Sequence, residues 1–315
     1  MSTIISGSLA YDYIMDFPDT FKNHILPDQI HILNVCFVVD KLQKNIGGCA
    51  LNIGYTMHLL GEKPVILGSV GSDGDDIINF FEKQNIDVSY ISKHKDILTS
   101  MAHITTDKDD NQIIAFYNGA GEKASDLSIA EVKEESTFAI IAPTKKEAML
   151  KHAKECFDKK IPFCFDPSHQ LTAFSAQELM ATIGMAKMYV ANDYEMKLTE
   201  EKTGWDKEEM LNHVDVLITT LGEKGSVIAT KDNVFEVPPC PPRSVDDPTG
   251  AGDAYRGGFF AAYGQGHDLE TCARVGSVAA TYAIENYGTI NHAFTHGEFA
   301  QRYEEAYGKS INLAL

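Results

Sequence analysis

Positive charge is what this 315-residue chain has least of: 27 Lys and Arg stand against 45 Asp and Glu, a formal net charge of -18. Such acidity repels nucleic acid and anionic membranes, so neither is an expected partner. The first ten residues lack a basic region, and Asp12 and Asp16 interrupt the apolar run that follows, so no signal peptide is expected. No stretch approaches the roughly 20 apolar residues of a membrane-spanning helix. Six cysteines, at 36, 49, 156, 164, 240 and 272, include no Cys-x-x-Cys pair, and no Cys/His cluster has zinc spacing. They read as reduced thiols of a cytoplasmic protein. Repeats and Ser/Pro-rich linkers are missing too. The length allows one large α/β domain or two smaller ones, and with no linker we expect residues 1–315 to form a single domain.

What is present is an alternation of short apolar and amphipathic runs, the pattern of βαβ units and a mainly parallel sheet. Strands are expected at 4–7, 65–67, 138–142, 163–165, 188–191 and 216–219, and helices at 52–60, 75–84, 147–159, 176–186, 207–212 and 269–286. Two segments break the rhythm. Residues 13–46 hold the apolar run 30–40, and residues 98–117 hold two extended runs joined by the charged turn Asp107-Lys108-Asp109-Asp110-Asn111. The second has the composition of a β-hairpin, and together they can form a small β-sheet lid across one end of the main domain.

Residues 246–258, Asp-Asp-Pro-Thr-Gly-Ala-Gly-Asp-Ala-Tyr-Arg-Gly-Gly, are the most informative stretch. Pro248 and Thr249 mark a turn, Gly250, Ala251 and Gly252 leave the backbone nearly bare, and a small-residue apolar run then reads as a helix. Backbone N–H groups at such a helix start form a phosphate site. Asp253 sits inside it, where a carboxylate makes sense as a base that takes a proton from a nucleophile attacking phosphorus. We expect the helix dipole and the amides to keep Asp253 ionised. A bland alternative is a Gly-rich turn with Asp253 as helix cap. A dinucleotide fingerprint fails because Tyr255 holds its third glycine position, and a Walker A loop ending at Gly308-Lys309-Ser310 fails because Tyr303 replaces its first glycine.

Other candidates lie where α/β folds bind ligands, beyond the C-terminal ends of strands. Asp12 follows the first strand, and its two oxygens can accept from neighbouring hydroxyls such as those of a ribose. Gly47-Gly48 allows close backbone approach, with Asn52 able to donate and accept at once. Asn192 and Glu195 follow a strand with oxygen-bearing side chains of the kind hard cations choose; alone, Asn192 is equally a helix cap. Thr220-Leu221-Gly222-Glu223-Lys224-Gly225 follows a strand, with a hairpin turn as its alternative, and a helix is expected to end near Gly288.

Asp247-Pro248-Thr249-Gly250-Ala251-Gly252-Asp253 resembles the C-terminal signature of the ribokinase (PfkB) family of carbohydrate and nucleoside kinases, and Gly47-Gly48 through Asn52 resembles its N-terminal one. The likeness covers nearly the whole chain. It implies a ribokinase-like three-layer α/β fold with a lid, and ATP, Mg²⁺ and K⁺ as cofactors. Asp247 and Thr249 would help bind the monovalent cation, Gly250, Ala251 and Gly252 the transferred phosphate, and Asp253 would be the base. Asn192, Glu195, Thr220, Gly222 and Gly225 would organise nucleotide phosphates and Mg²⁺. Gly-Ser-Leu-Ala-Tyr-Asp at 7–12, Asp-Asn-Gln-Ile-Ile-Ala-Phe-Tyr at 110–117, Asp-Pro-Ser-His-Gln at 166–170 and Asn-Asp-Tyr-Glu at 192–195 resemble the family's bacterial adenosine-kinase branch most. That branch implies nucleoside contacts from Ser8, Asp12, Gly48 and Asn52, Phe116 against the base, and His169 and Gln170 nearby. Cys36 and His169 depart from it, standing where Ser and Gln are expected. The implied activity is phosphorylation of a nucleoside 5′-hydroxyl, adenosine above all. The alternatives are a ribokinase- or fructokinase-like sugar kinase and a non-catalytic nucleoside- or sugar-binding regulator. Partners are expected to be small molecules, with homodimerisation left open.

Overall fold

The computed structural model describes residues 2–109, 111–134 and 136–313. Among these, the strands are β1 (Ser2–Ser6), β2 (Ala10–Asp16), β3 (Lys41–Gly47), β4 (Lys63–Val70), β5 (Ile91–Lys93), β6 (Ser100–Thr106), β7 (Gln112–Tyr117), β8 (Ser136–Ile141), β9 (Phe163–Phe165), β10 (Met188–Asn192), β11 (Val216–Thr220), β12 (Ser226–Ala229) and β13 (Val234–Val237). The helices are α1 (Cys49–Leu59), α2 (Asp75–Lys83), α3 (Lys146–Lys159), α4 (Ala176–Ile183), α5 (Asp193–Thr203), α6 (Lys207–Met210), α7 (Ala251–Gly264), α8 (Leu269–Ile284) and α9 (His296–Tyr307).

A nine-stranded sheet runs β13-β12-β11-β10-β9-β8-β1-β4-β5, parallel except where β12 meets β11 and β13. Its central strands are rich in consecutive buried apolar residues because both faces are covered. Ile5, Ile66, Ile140 and Val190 join one core with α1, α7 and α8; their neighbours Ile4, Val65, Ile141 and Ala191 join the other with α3, α4 and α5. All six strands expected from the sequence are present, which makes the fold three-layered and ribokinase-like.

A separate four-stranded sheet, β3-β2-β6-β7, carries the lid expectation with two corrections. Its first segment begins at Ala10 rather than residue 13, and the apolar run 30–40 is not a strand. Pro27–Ile32 forms a short 3₁₀ helix, residues 33–39 have no regular structure, and Ile30, Ile32, Leu33 and Val38 are exposed. The polar run Lys41–Gly47 pairs instead, because its register with β2 leads directly into Gly48 and α1. In the hairpin, Asp107 is buried and accepts from the backbone N–H groups of Phe21, Asp109 and Asn111, while Asp110 lies outside the described residues. Gly288 is no helix cap: α8 ends at Ile284, four residues earlier.

Helices α1 and α7 cross on the same face of the large sheet. At Gly257 a Cβ would stand 2.8 Å from the Ile53 carbonyl and 2.6 Å from the Thr56 Cβ. A methyl here must push backbone, so Gly257→Ala should destabilise the fold by about 1–3 kcal/mol despite better helix propensity. Urea denaturation measures it. A variant as stable as the parent would show that the two helices can part without cost.

Candidate active site

One edge of the large sheet gathers the functional segments. Strand β1 runs out into Ser8, β9 into Asp166 and the 3₁₀ helix Ser168–Ala173, β10 into Asn192, and β11 into Thr220, which sits beside Asn192 in register. Helices α1 and α7 both start here. Ser8 accepts from the Cys49 N–H at 3.1 Å and fixes the first turn of α1. Gly48 precedes that turn at φ 102°, and a Cβ on Gly47 would collide with the Asp12 carboxylate.

The start of α7 is bare. Gly250 at φ 81° is its N-cap, and no side chain caps the helix. Serine, asparagine, aspartate and threonine cap α4, α5, α8 and α9. The Ala251 N–H bonds to the Pro248 carbonyl, and the next amides carry the positive end of the dipole. Asp253 is half-buried one turn in, and Asn52 Nδ2 donates to its Oδ2 at 2.8 Å. The expectation that dipole and amides keep it ionised meets an opposing influence in burial. Burial raises the Asp253 pKa above the ordinary carboxylate value, against Arg256, Asn52 and the Cys49 thiol, which pull it down. A carboxylate so raised is the stronger base when ionised.

Asp12 also lies elsewhere than expected. It stands not at the end of a parallel strand of the main sheet but inside β2 of the small one. Register places Asn45, Asp12, Ala102 and Phe116 in one row across β3, β2, β6 and β7, so their side chains share a face. Phe116 is 48% exposed on that face, with its ring 6.4 Å from the ring of His169. At a strand spacing of about 4.8 Å, Asp12 and Phe116 are about 10 Å apart, the reach of a ribose with its base. Asn45 was not singled out from sequence; its Nδ2 is buried without a partner, as is Asn52 Oδ1. The polar run Gln43-Lys44-Asn45 leading into Gly47-Gly48 was the available signal.

The remaining candidates divide. Asn192 and Glu195 form a reciprocal capping box on α5, and Glu195 Oε1 also accepts from Ser168 at 3.0 Å. Each Glu195 oxygen keeps a lone pair for water, which suits the outer shell of Mg²⁺. Among the described residues no three His, Cys, Asp or Glu group as a metal cluster. Thr220 to Gly225 is the hairpin connection of β11 and β12, and at Gly225 (φ 88°) a Cβ would strike the Val237 carbonyl. Asp247 is buried and accepts from the backbone N–H of Thr249 at 2.9 Å and of Gly288 at 3.0 Å. Gln170 is half-buried beside His169 on its 3₁₀ helix, and Cys36 is exposed in the irregular 33–39 stretch. Two charged residues inside the quoted motifs, Asp166 and Arg256, were given no role from sequence and turn out to be buried.

Large sheet, small sheet and a carboxylate behind a bare helix start define the class: a ribokinase-like protein. The chain belongs to the pfkB family of carbohydrate kinases, whose sequence pattern matches residues 25–295. It is similar to the nucleoside kinase of Methanocaldococcus jannaschii, 32% identical over 301 residues and 95% of each chain. The Burkholderia thailandensis nucleoside kinase in complex with inosine superposes with a TM-score of 0.92 at 34% identity, covering 98% of this chain and 99% of that one. In complex with ADP-inosine the same protein gives 0.90 at 36%, covering 100% and 98%. Among the described residues no helix is long and apolar enough to cross a membrane.

Burial, then the charges of Asp253 and Asp247, push the Asp12 pKa from 3.8 to about 7. Ionisation is opposed in the folded chain and not in the unfolded one. Its contribution therefore favours the fold below the ordinary value and is lost as pH rises through about 7. Asp12→Asn should thus melt higher than the parent at pH 8, by roughly 3 °C or more, and gain much less at pH 5. Equal melting shifts at both pH values would contradict this charge strain.

Proposed function

We propose that this chain is an ATP-dependent nucleoside kinase that phosphorylates the 5′-hydroxyl of a purine nucleoside, adenosine first among them. The row from Asp12 to Phe116 carries the reading: it offers a carboxylate to two ribose hydroxyls and, two strands away, an aromatic face to a base. A bare sugar would leave the aromatic end unused. Relatives described as nucleoside kinases over nearly their full length support it, and the inosine bound to one of them makes inosine the second substrate to test.

In the proposed reaction the 5′-oxygen attacks the terminal phosphorus of ATP in line. The new O–P bond forms as the bond to the bridging oxygen breaks, ADP leaves, and the hydroxyl proton passes to Asp253. Free amides in the first turn of α7 meet the charge on the phosphoryl oxygens. Asn192 and Glu195 would hold the water shell of a Mg²⁺ bound with the nucleotide, which would supply positive charge to its phosphates. A K⁺ ion near the buried Asp247 and Thr249 would balance a carboxylate that accepts from the backbone N–H groups of Thr249 and Gly288. The small sheet would act as a lid that excludes water.

Steady-state phosphorylation of adenosine, inosine, ribose and fructose tests the substrate. Base stacking is worth about 1–3 kcal/mol, so kcat/KM for a purine nucleoside should exceed that for ribose by roughly tenfold or more. Equal or faster turnover of ribose or fructose would replace the nucleoside reading with a sugar-kinase one.

Asp253→Asn keeps the shape but cannot take the proton. Its kcat should fall by about 10²–10⁴ while nucleoside binding, resting on Asp12, Gly48 and Asn52, changes little. A folded variant with near-parental kcat would remove Asp253 as base, and with it the main argument for phosphoryl transfer.

A further inference from the structure

Arg256 and Asp166 have no part in the reaction as drawn, yet they are the most deeply buried ion pair at the cleft, with side chains 7% and 1% exposed. Arg256 Nη2 donates to Asp166 Oδ1 at 2.8 Å, and its Nε closes on the other carboxylate oxygen. Stability is a weak reason to keep such a pair, because apolar side chains of similar volume serve a core as well or better. What the pair touches gives a better one. Arg256 Nη1 donates to the carbonyl of Gly252 at 3.0 Å. That carbonyl and the N–H of Asp253 belong to one planar peptide unit and point in opposite directions. Holding the carbonyl from behind therefore aims the Asp253 N–H out of the helix start, toward the place where an anion would sit.

The same guanidinium dominates the charge behind the base. Asp253 is faced by Asn52 and Cys49 from α1, His169 and Asp166 from the segment after β9, Asp12 from the small sheet and Arg256 from its own helix. Arg256 is the permanent cation in that set, and it acts on Asp253 more strongly than Asp166 does. Every other side chain near the base is neutral, titratable or negative.

We propose that Arg256, held by Asp166, is the positioning residue of this site: it fixes the peptide that carries Asp253 and supplies the fixed positive charge behind it. The rate part of this proposal rests on the nucleoside-kinase reading; the titration part does not. Removing the cation favours the protonated carboxyl, so the acid limb of the kcat profile moves to higher pH.

The pair is best replaced as a unit, Asp166→Leu with Arg256→Met, so that no buried charge is left alone. In this double variant the Asp253 carboxyl, followed by ¹³C NMR and assigned by its loss in Asp253→Asn, should titrate at least about half a unit higher than in the parent. The kcat plateau should fall roughly tenfold or more, with KM for the nucleoside within about threefold. Arg256→Lys keeps the charge and loses the fork. It should titrate close to the parent while its kcat falls about fivefold or more. A folded double variant with an unchanged Asp253 midpoint and kcat within about twofold would overturn the proposal. If the double variant does not fold, an Arg256→Lys protein with parental kcat would overturn it instead. A parent that phosphorylates no nucleoside would sink the functional reading, while the NMR titration would still decide whether Arg256 controls Asp253.

Discussion

The cleft depends on how closely α1 and α7 approach each other. Gly257 lets the two backbones nearly touch, and that approach brings Asn52 of one helix within 2.8 Å of Asp253 of the other. Both helices begin on a glycine with positive φ, at 102° for Gly48 and 81° for Gly250, and neither N-cap offers a side-chain oxygen. A glycine cap gives up only a few tenths of a kcal/mol against serine or asparagine. By contrast, α4, α5 and α9 all carry reciprocal boxes. The starts of α1 and α7 are thus left open at small cost, as are those of α2 and α3.

Much of this was legible in the sequence, and the parts that were not share a cause. The six central strands read correctly because burial on both faces makes them continuous apolar runs bounded by turn residues. The helix start after Gly250 read correctly because a turn leads there into a run of small and apolar residues. Apolar content misled at 30–40, where no strand is available to pair and the side chains remain exposed. The strand that does pair, Lys41–Gly47, is polar, since one face meets solvent and the other the cleft. Partnerships across distance were invisible: Arg256 and Asp166 are 90 residues apart, and Asn52 and Asp253 are 201 apart. A single charge in a motif does not reveal whether it meets a ligand or a partner; only the fold brings the second charge to it.

Electrostatics then explain why an acidic protein can handle a polyanion. Asp166 and Arg256 cancel each other, while Asp12, Asp247 and Asp253 crowd the same cleft and raise the pKa of Asp12. Three carboxylates facing a nucleotide would be absurd if side-chain cations were the means of holding phosphate. On the proposed reading the phosphate-directed groups are backbone amides, which add dipole without a mobile charge and stay aimed whether or not a ligand is present. The carboxylates can then serve a neutral partner.

On the proposed reading that division has a consequence for turnover. A nucleoside enters uncharged and satisfies Asp12 with hydroxyl donors, relieving a carboxylate whose ionisation the folded protein opposes. After transfer the same molecule carries a phosphate with nearly two negative charges, within the field of Asp12 and Asp247 and, once Asp253 has given up the transferred proton, of that carboxylate too. Like charges that were silent toward the substrate now repel the product. Arg256 does not offset this, because its guanidinium is committed to Asp166 and to the Gly252 carbonyl, behind the helix start rather than in the cleft. The acidity that strains the empty site therefore favours release of the phosphorylated product, so the chemistry that makes the product also weakens the hold upon it.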